Sequence, residues 1–534
     1  MKTTGPYTKI KTHPVRPGRR VPATGEAVSS TSPCRSRQPF LRQHHQRSRL
    51  ARGPRSLLLA IFAGLVVAAA AAAGPSGALP PPAVLSADEL ARTRAALAAI
   101  VQEPTVAGAP PETLKRVHSK LKQAFPRTFS TLDIEPIGTS LLLIWPGRSA
   151  LAPFMLLAHL DVVPVDPGTE KNWKVPPFSG EVVEGALWGR GTLDDKSSAV
   201  GILAAIESLL ERGYTPERTL LVALGGDEET GGSAGAAQVA ATLKQRNIRP
   251  VFLLDEGYAV IDGAIVGVNR PVAMIGLAEK GYLTIRLRSQ GPGGHSSMPP
   301  EHTAIGQLAR AITRLEDSPL PSRLDDPMRS GLEALAPHMP GAQGLALRAL
   351  WLTSPLVRNL LEGKPATAAQ IRTTMAVTMI SGGVAENVLP EEAVATVNFR
   401  LLPGDSPQDV LDHVQRTLDD EGITIEVVTQ GSSAPSRVSS TGGIGWESMS
   451  ETLARVMPDA VVAPGLTIGG TDAKHFEGIA EQVYRFLPMR LNAEDLARIH
   501  GLDERIPLSN LDEFPVFYKT LIEIVNENSH QDPP

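Results

Sequence analysis

FMLLAHLDVV at residues 154–163 and GRGTLDDK at residues 189–196 decide the fold. The first is an apolar run that ends on His159 and Asp161. The second is a glycine turn that ends on Asp194 and Asp195 and opens into a helix-like stretch. A short apolar run bounded by turn residues predicts a strand buried on both faces, as in a parallel sheet covered by helices. Ligands of such sheets sit beyond the carboxyl ends of the strands, where His159, Asp161 and the Asp194 loop fall.

Working outward, residues 141–145, 154–158, 219–224 and 251–254 are strand-like, and 199–211 and 234–246 are helix-like. This alternation predicts an α/β fold, a mostly parallel sheet flanked by helices. GGDEETGG (Glu228, Glu229), LLDEG (Asp255, Glu256) and GGTDAKHF (His475) repeat one theme, carboxylates and scattered histidines beside glycine turns. That donor set suits a site holding two divalent cations. From residue 281 the pattern changes. Residues 282–289 and 393–401 alternate apolar and polar side chains, which predicts half-exposed antiparallel strands. Helical stretches at 303–316 and 331–361 lie between them. The expectation is an α+β domain inserted at 281–441, dividing the first domain into 86–280 and 442–530.

Composition narrows the chemistry. The only cysteine, Cys34, lies in the N-terminal tail, so the body has neither disulfides nor thiolate ligands, and a metal must be held by His, Asp and Glu. Residues 1–56 carry 13 Lys or Arg against the single acid Glu26, a surplus of 12, so the chain total of -4 leaves -16 for the rest. An acidic body argues against nucleic acid as a partner. A binding role led by the basic tail would instead give salt-dependent binding by residues 1–56 alone.

That tail is rich in Pro, Ser and Arg and is expected to be disordered. It runs into LLLAIFAGLVVAAAAAA at 57–73, an uncharged stretch at the short limit for a membrane span. A basic flank before an apolar run predicts a signal anchor or a cleaved signal peptide. The body would then be membrane-anchored with its catalytic domain outside the cytoplasm, or secreted or periplasmic. Residues 74–85 form a Pro-rich linker, and Ser86 is the expected N-cap of the first helix of the body.

HLDVVP, GRGTLDDK, GGDEETGG, LDEG, GPGGHSSMP, SGGVAENVLP, ATVNFRLLPGD and GGTDAKHF, in this order, resemble the aminoacylase, carboxypeptidase and dipeptidase family of di-zinc metallopeptidases. The likeness covers about residues 86–528. YRFLP, RIHGLDERI and the long insertion look most like the branch of carboxypeptidase S and N-fatty-acyl-amino-acid synthase/hydrolases.

The resemblance implies a role for each motif. His159 binds one metal and Asp161 orients its imidazole. Asp194 bridges two zinc ions, with cobalt or manganese as alternatives, and the peptide bond after it is commonly cis in the family. Asp195 shapes the turn or caps the helix that follows. Glu229 and His475 bind metal, and Glu228 is the general base. Asp255 and Glu256 both remain candidates for the second metal, and the family pattern places the ligand on Glu256.

The resemblance also makes 86–280 with 442–530 a catalytic domain and 281–441 an inserted two-layer lid or dimerisation domain, in which His295 steadies the oxyanion, within its own chain or across a homodimer. Asn387 and Arg400 hold the substrate carboxylate. The implied reaction is hydrolysis of an amide next to a free carboxylate, in a dipeptide, a peptide C-terminus or an N-acyl amino acid. The alternative is a non-catalytic, membrane-tethered binder of such molecules on the same fold.

Overall fold

Phe154–His159 forms a strand in which every side chain is buried, and Leu220–Gly225 beside it is the same. They pair in parallel, with His159 opposite Gly225, and Phe252–Asp255 pairs in parallel on the other side. The computed structural model describes residues 84–528 apart from 264, 266, 420 and 421. The basic tail and the apolar run at 57–73 therefore lie outside the described residues. Among the described residues no helix is long and apolar enough to cross a membrane.

The sheet runs Asp133–Ile137, Ser140–Trp145, Leu220–Gly225, Phe154–His159, Phe252–Asp255, Gln482–Arg485 and Val272–Glu279, with further short strands at that edge. Gln482–Arg485 comes from near the other end of the chain and fills the slot between two strands made far earlier. Residues buried on both faces need cover on both sides. On one face the helices Lys196–Glu211 and Leu508–Glu527 supply it, packing Leu203, Ile206, Phe514, Phe517 and Leu521 against the strands. Gly201 permits their close crossing, because a Cβ there would lie 2.6 Å from Cβ of Phe514. On the other face Ala236–Gln245 contributes Val239 and Leu243 to a second core with Leu157, Leu221 and Phe476.

A second, antiparallel sheet has the order Thr374–Gly382, Glu392–Leu401, Gly281–Gln290, Ile423–Ser433. Its strands alternate buried and more exposed residues, and the buried row (Leu283, Ile285, Val397, Phe399) packs on the helices Ala304–Glu316 and Pro407–Leu418. Thr303 caps the first of these helices, and Ser406 forms a capping box with Asp409 on the second.

The helical insertion packs on more than the second sheet. Met328–Leu335, Gly341–Arg348 and Leu350–Glu362 build their own small core around Leu347, Leu350, Val357 and Ile371. Leu335 then packs against Val272, Val461 and Ala463 of the catalytic sheet. An apolar stretch seeks the nearest uncovered apolar edge, and here that edge belongs to the catalytic domain.

Candidate metal centre and catalytic cleft

Four loops at the carboxyl ends of the parallel strands converge. His159, the last residue of its strand, is buried, and its Nε2 lies 2.8 Å from Oδ1 of Asp194 and 3.7 Å from Oε1 of Glu256. Its Nδ1 lies 3.0 Å from the backbone carbonyl of Asp161 and 3.5 Å from the Asp161 carboxylate. Asp161 thus orients the imidazole largely through its main chain. Its carboxylate holds the acidic turn as well, since Oδ1 accepts from the N–H of Glu228 at 3.1 Å and Oδ2 from the N–H of Glu229 at 3.0 Å. One residue fixes both the histidine and the two glutamates.

The Asp194–Asp195 peptide bond is cis. Asp194 faces His159 through one oxygen and His500 through the other, whose Nε2 is 3.0 Å away. His500 also lies 3.3 Å from Oε1 of Glu229. The histidine expected at this place was His475. The structure puts His475 elsewhere, with its Nε2 2.9 Å from the carbonyl of Gly231, and brings His500 of RIHGLDE to the carboxylates. From GGTDAKHF it is Asp472, not His475, that turns inward, into a small buried space lined also by His159, Glu228 and Asp255.

His500 carried a signal of its own. Glu504, four residues on, is buried and accepts from the N–H groups of Gly191 and Leu193, while Arg190 donates to the carbonyls of His500 and Gly501. His500 itself sits at φ 59°, the left-handed region where few non-glycine residues are found outside turns and functional sites.

Asp195 does not cap the helix Lys196–Glu211, since its side chain accepts from none of that helix's backbone N–H groups. It is fully buried instead and lies with His159 and Glu256 in a group able to hold a metal ion. Asp255 is tied to the main chain, accepting from Glu256 N–H at 2.9 Å and Ala473 N–H at 2.8 Å. That leaves Glu256 as the one that faces His159.

Burial pushes the Glu228 carboxyl up to about 7, with the charges of Glu229 and Asp194 adding to it and those of His159 and Lys474 opposing. Burial and the Asp194 charge hold Glu256 well above the usual carboxylate range, and burial with the Glu228 charge does the same to Asp472. So many acids in so little water repel one another. Divalent cations would relieve that repulsion, and the donors fit: His159, Asp194 and Glu229 form one group with ligand atoms in mutual reach, His159, Asp195 and Glu256 another.

The turn that carries the two glutamates depends on Gly232. Its φ is 70°, and a Cβ there would lie 2.0 Å from Oδ1 of Asp472 and 2.8 Å from Nε2 of His475. Only glycine fits both the conformation and the space.

In front of Glu228 and Glu229 lies a cleft of about 1150 Å³. Gly231, Lys474 and His475 line its catalytic side, and Lys280, Tyr282 and Arg400 line the side facing the second sheet. The Arg400 guanidinium stacks 4.6 Å over the Tyr282 ring. His295 and Asn387 are adjacent on an exposed two-stranded ribbon of the second domain, where the Asn387 carbonyl accepts from Ser296 N–H. Neither is among the described residues that line the cleft.

A family model described as peptidase family M20/M25/M40 matches residues 155–526. The chain belongs to that family. This M20 chain is 39% identical over 448 residues to an N-fatty-acyl-amino acid synthase/hydrolase, PM20D1, of Xenopus tropicalis, covering 82% of this chain and 86% of that one. It is 38% identical over 424 residues to the probable carboxypeptidase S-like 2 of Dictyostelium discoideum, covering 77% and 79%. Among solved structures, the M20 family metallo-carboxypeptidase Sso-CP2 of Sulfolobus solfataricus shares the fold of this M20 chain at 18% identity. Its TM-score is 0.61, covering 82% of this chain and 99% of that one.

Proposed function

We propose that this chain hydrolyses an amide bond next to a free carboxylate and releases an amino acid from a dipeptide, a peptide C-terminus or an N-acyl amino acid. Glu228 carries the reading. It is a partly buried carboxyl poised at about 7, set among metal-type donors, and it opens on a cleft that also holds Arg400. A carboxyl near neutrality can both take and return a proton at working pH. The name of the Xenopus relative favours the N-acyl amino acid, and that of the Dictyostelium relative favours the peptide C-terminus.

In this reading His159, Glu256 and Asp194 would hold one cation and Asp194, Glu229 and His500 the other, with Asp195 buried beside the first set. Two zinc ions suit these donors, with cobalt or manganese as alternatives. When bound, such cations polarise the amide carbonyl and make water more acidic. The protein's own groups supply the rest. Glu228 accepts a proton from the attacking water and delivers it to the leaving nitrogen. Arg400, stiffened by its stacking on Tyr282, binds the substrate carboxylate. His295 steadies the oxyanion and Asn387 helps hold the carboxylate once the second domain closes or a second copy of the chain supplies its own ribbon. A homodimer is proposed on that ground. The apolar run at 57–73 is proposed as a signal anchor or cleaved signal that places the body outside the cytoplasm.

The test is Glu228→Gln, assayed on a panel of dipeptides and N-acyl amino acids with metal content measured in parallel. Turnover falls by orders of magnitude while bound metal holds. Unchanged turnover ends the assignment.

A further inference from the structure

The helix Leu350–Glu362 is apolar on two faces. Leu350 and Val357 point into the small helical core. On the opposite side Leu352, Leu356 and Leu360 follow one another at helical spacing, exposed to 63%, 58% and 68%. Trp351, 79% exposed, projects about 100° round the helix from Leu352, so it borders the same outward arc on its other flank, and Leu345 of the preceding helix is 67% exposed. Scattered exposed leucines are ordinary, whereas an outward arc that carries three leucines and a tryptophan marks a surface built to be covered.

The exposed charges of this segment have one sign, and Arg358 lies on the Trp351 flank of the arc. Arg348, Arg358 and Lys364 are exposed. The only acid of the helix, Glu362, is drawn away from the strip by Ser322 and Arg372. We propose that the Trp351–Leu360 face, with Arg348, Arg358 and Lys364, docks on an anionic lipid bilayer. Leucines enter the boundary between headgroups and acyl chains, the tryptophan sits at headgroup level, and the basic side chains meet anionic headgroups while their stems lie along the apolar surface.

A second copy is the weaker occupant. A two-fold contact sets each patch against itself and brings the basic side chains of one copy towards those of the other. The inference does not depend on the catalytic reading.

Trp351 makes the test direct. Trp145, Trp173 and Trp188 are buried and Trp446 is half-buried, so Trp351 is the fluorophore that lipid can reach. The full-length chain is mixed with vesicles of phosphatidylcholine and phosphatidylglycerol carrying brominated acyl chains, and tryptophan quenching is followed. Quenching occurs, and Trp351→Phe abolishes it. Neutralisation by Arg348→Gln and Arg358→Gln weakens vesicle partition by about fivefold for each basic side chain lost. Circular dichroism checks that the variants remain folded.

Quenching that survives Trp351→Phe means contact through another part of the chain and overturns the proposal. So does equal quenching on vesicles of phosphatidylcholine alone. A dimer in sedimentation that Leu352→Ser and Leu356→Ser dissociate, without quenching, assigns the face to a second copy instead.

Discussion

Arg190 and Glu504, 314 residues apart in the chain, form a buried ion pair beneath the site. The pair joins the loop that ends on Asp194 to the segment that carries His500, because each partner also bonds the other's main chain. Replacing Glu504 by Gln leaves the Arg190 charge buried and uncompensated. We expect a loss of stability of about 3–5 kcal/mol in urea unfolding, together with weaker metal retention on dialysis. An unchanged unfolding midpoint would show that the pair is dispensable.

The exchange of His475 for His500 gives a clean comparison. His500→Ala is expected to lower turnover by more than about 100-fold and to reduce the bound metal from two ions to one, as read by elemental analysis. His475→Phe should keep both ions. If the two variants behave the other way round, the site is assembled differently from the geometry described above.

Arg400→Ala removes a charged donor that is proposed to act on the bound substrate in ground and transition states alike. A rise in KM of about 10–100-fold with little change in kcat is the expected result, matching the loss of a hydrogen bond to a charged group. A fall in kcat at constant KM would instead place Arg400 in the chemical step.

Gly232→Ala should destabilise the fold by at least about 1–2 kcal/mol from the left-handed backbone alone, before the contact with Asp472 is counted. The measurement is equilibrium unfolding beside activity, and a variant as stable as the parent would contradict the tight turn.

A pH effect is expected far from the metal site, at the start of the body. Burial tends to raise the Glu89 carboxyl, but hydrogen bonds with Ser208 and Ser86 and the charge of Arg212 outweigh it and hold the pKa at about 2. The folded value lies below the ordinary glutamate value of 4.5. The charged group therefore adds stability above that value, and the contribution is lost as pH falls from 4.5 through about 2. Glu89→Gln should melt below the parent at pH 7, and the gap should close as pH is lowered through that window. A gap that is constant with pH would show that the carboxylate charge plays no part.

The strand ends were legible because parallel sheets gather ligands at one edge and apolar runs betray such strands. His159, Glu228, Glu229 and Glu256 follow from that rule, whereas the Asp194 loop leaves Ala186–Trp188, a strand of a separate antiparallel sheet. The two late histidines could not be separated in the same way. GGTDAKHF and RIHGLDE each offer a histidine near glycine, and only the packing of Glu504 under the Asp194 loop distinguishes them. Asp195 misled for a related reason. An acid before a helix looks like a cap, yet the Asp195 side chain makes no cap bond and is buried with His159 and Glu256. The helical insertion was legible as helices, but its partner was not, since Leu335 could have packed on either sheet.

Gln482–Arg485 lies in the middle of the catalytic sheet, and His500 follows it. A nascent chain that has already made Phe252–Asp255 still lacks the neighbouring strand and one side of the cluster. At ~5–20 residues per second, tens of seconds of synthesis separate them. With the proposed site, chain order acts as a switch: a growing chain is expected to cut nothing until almost all of it has left the ribosome.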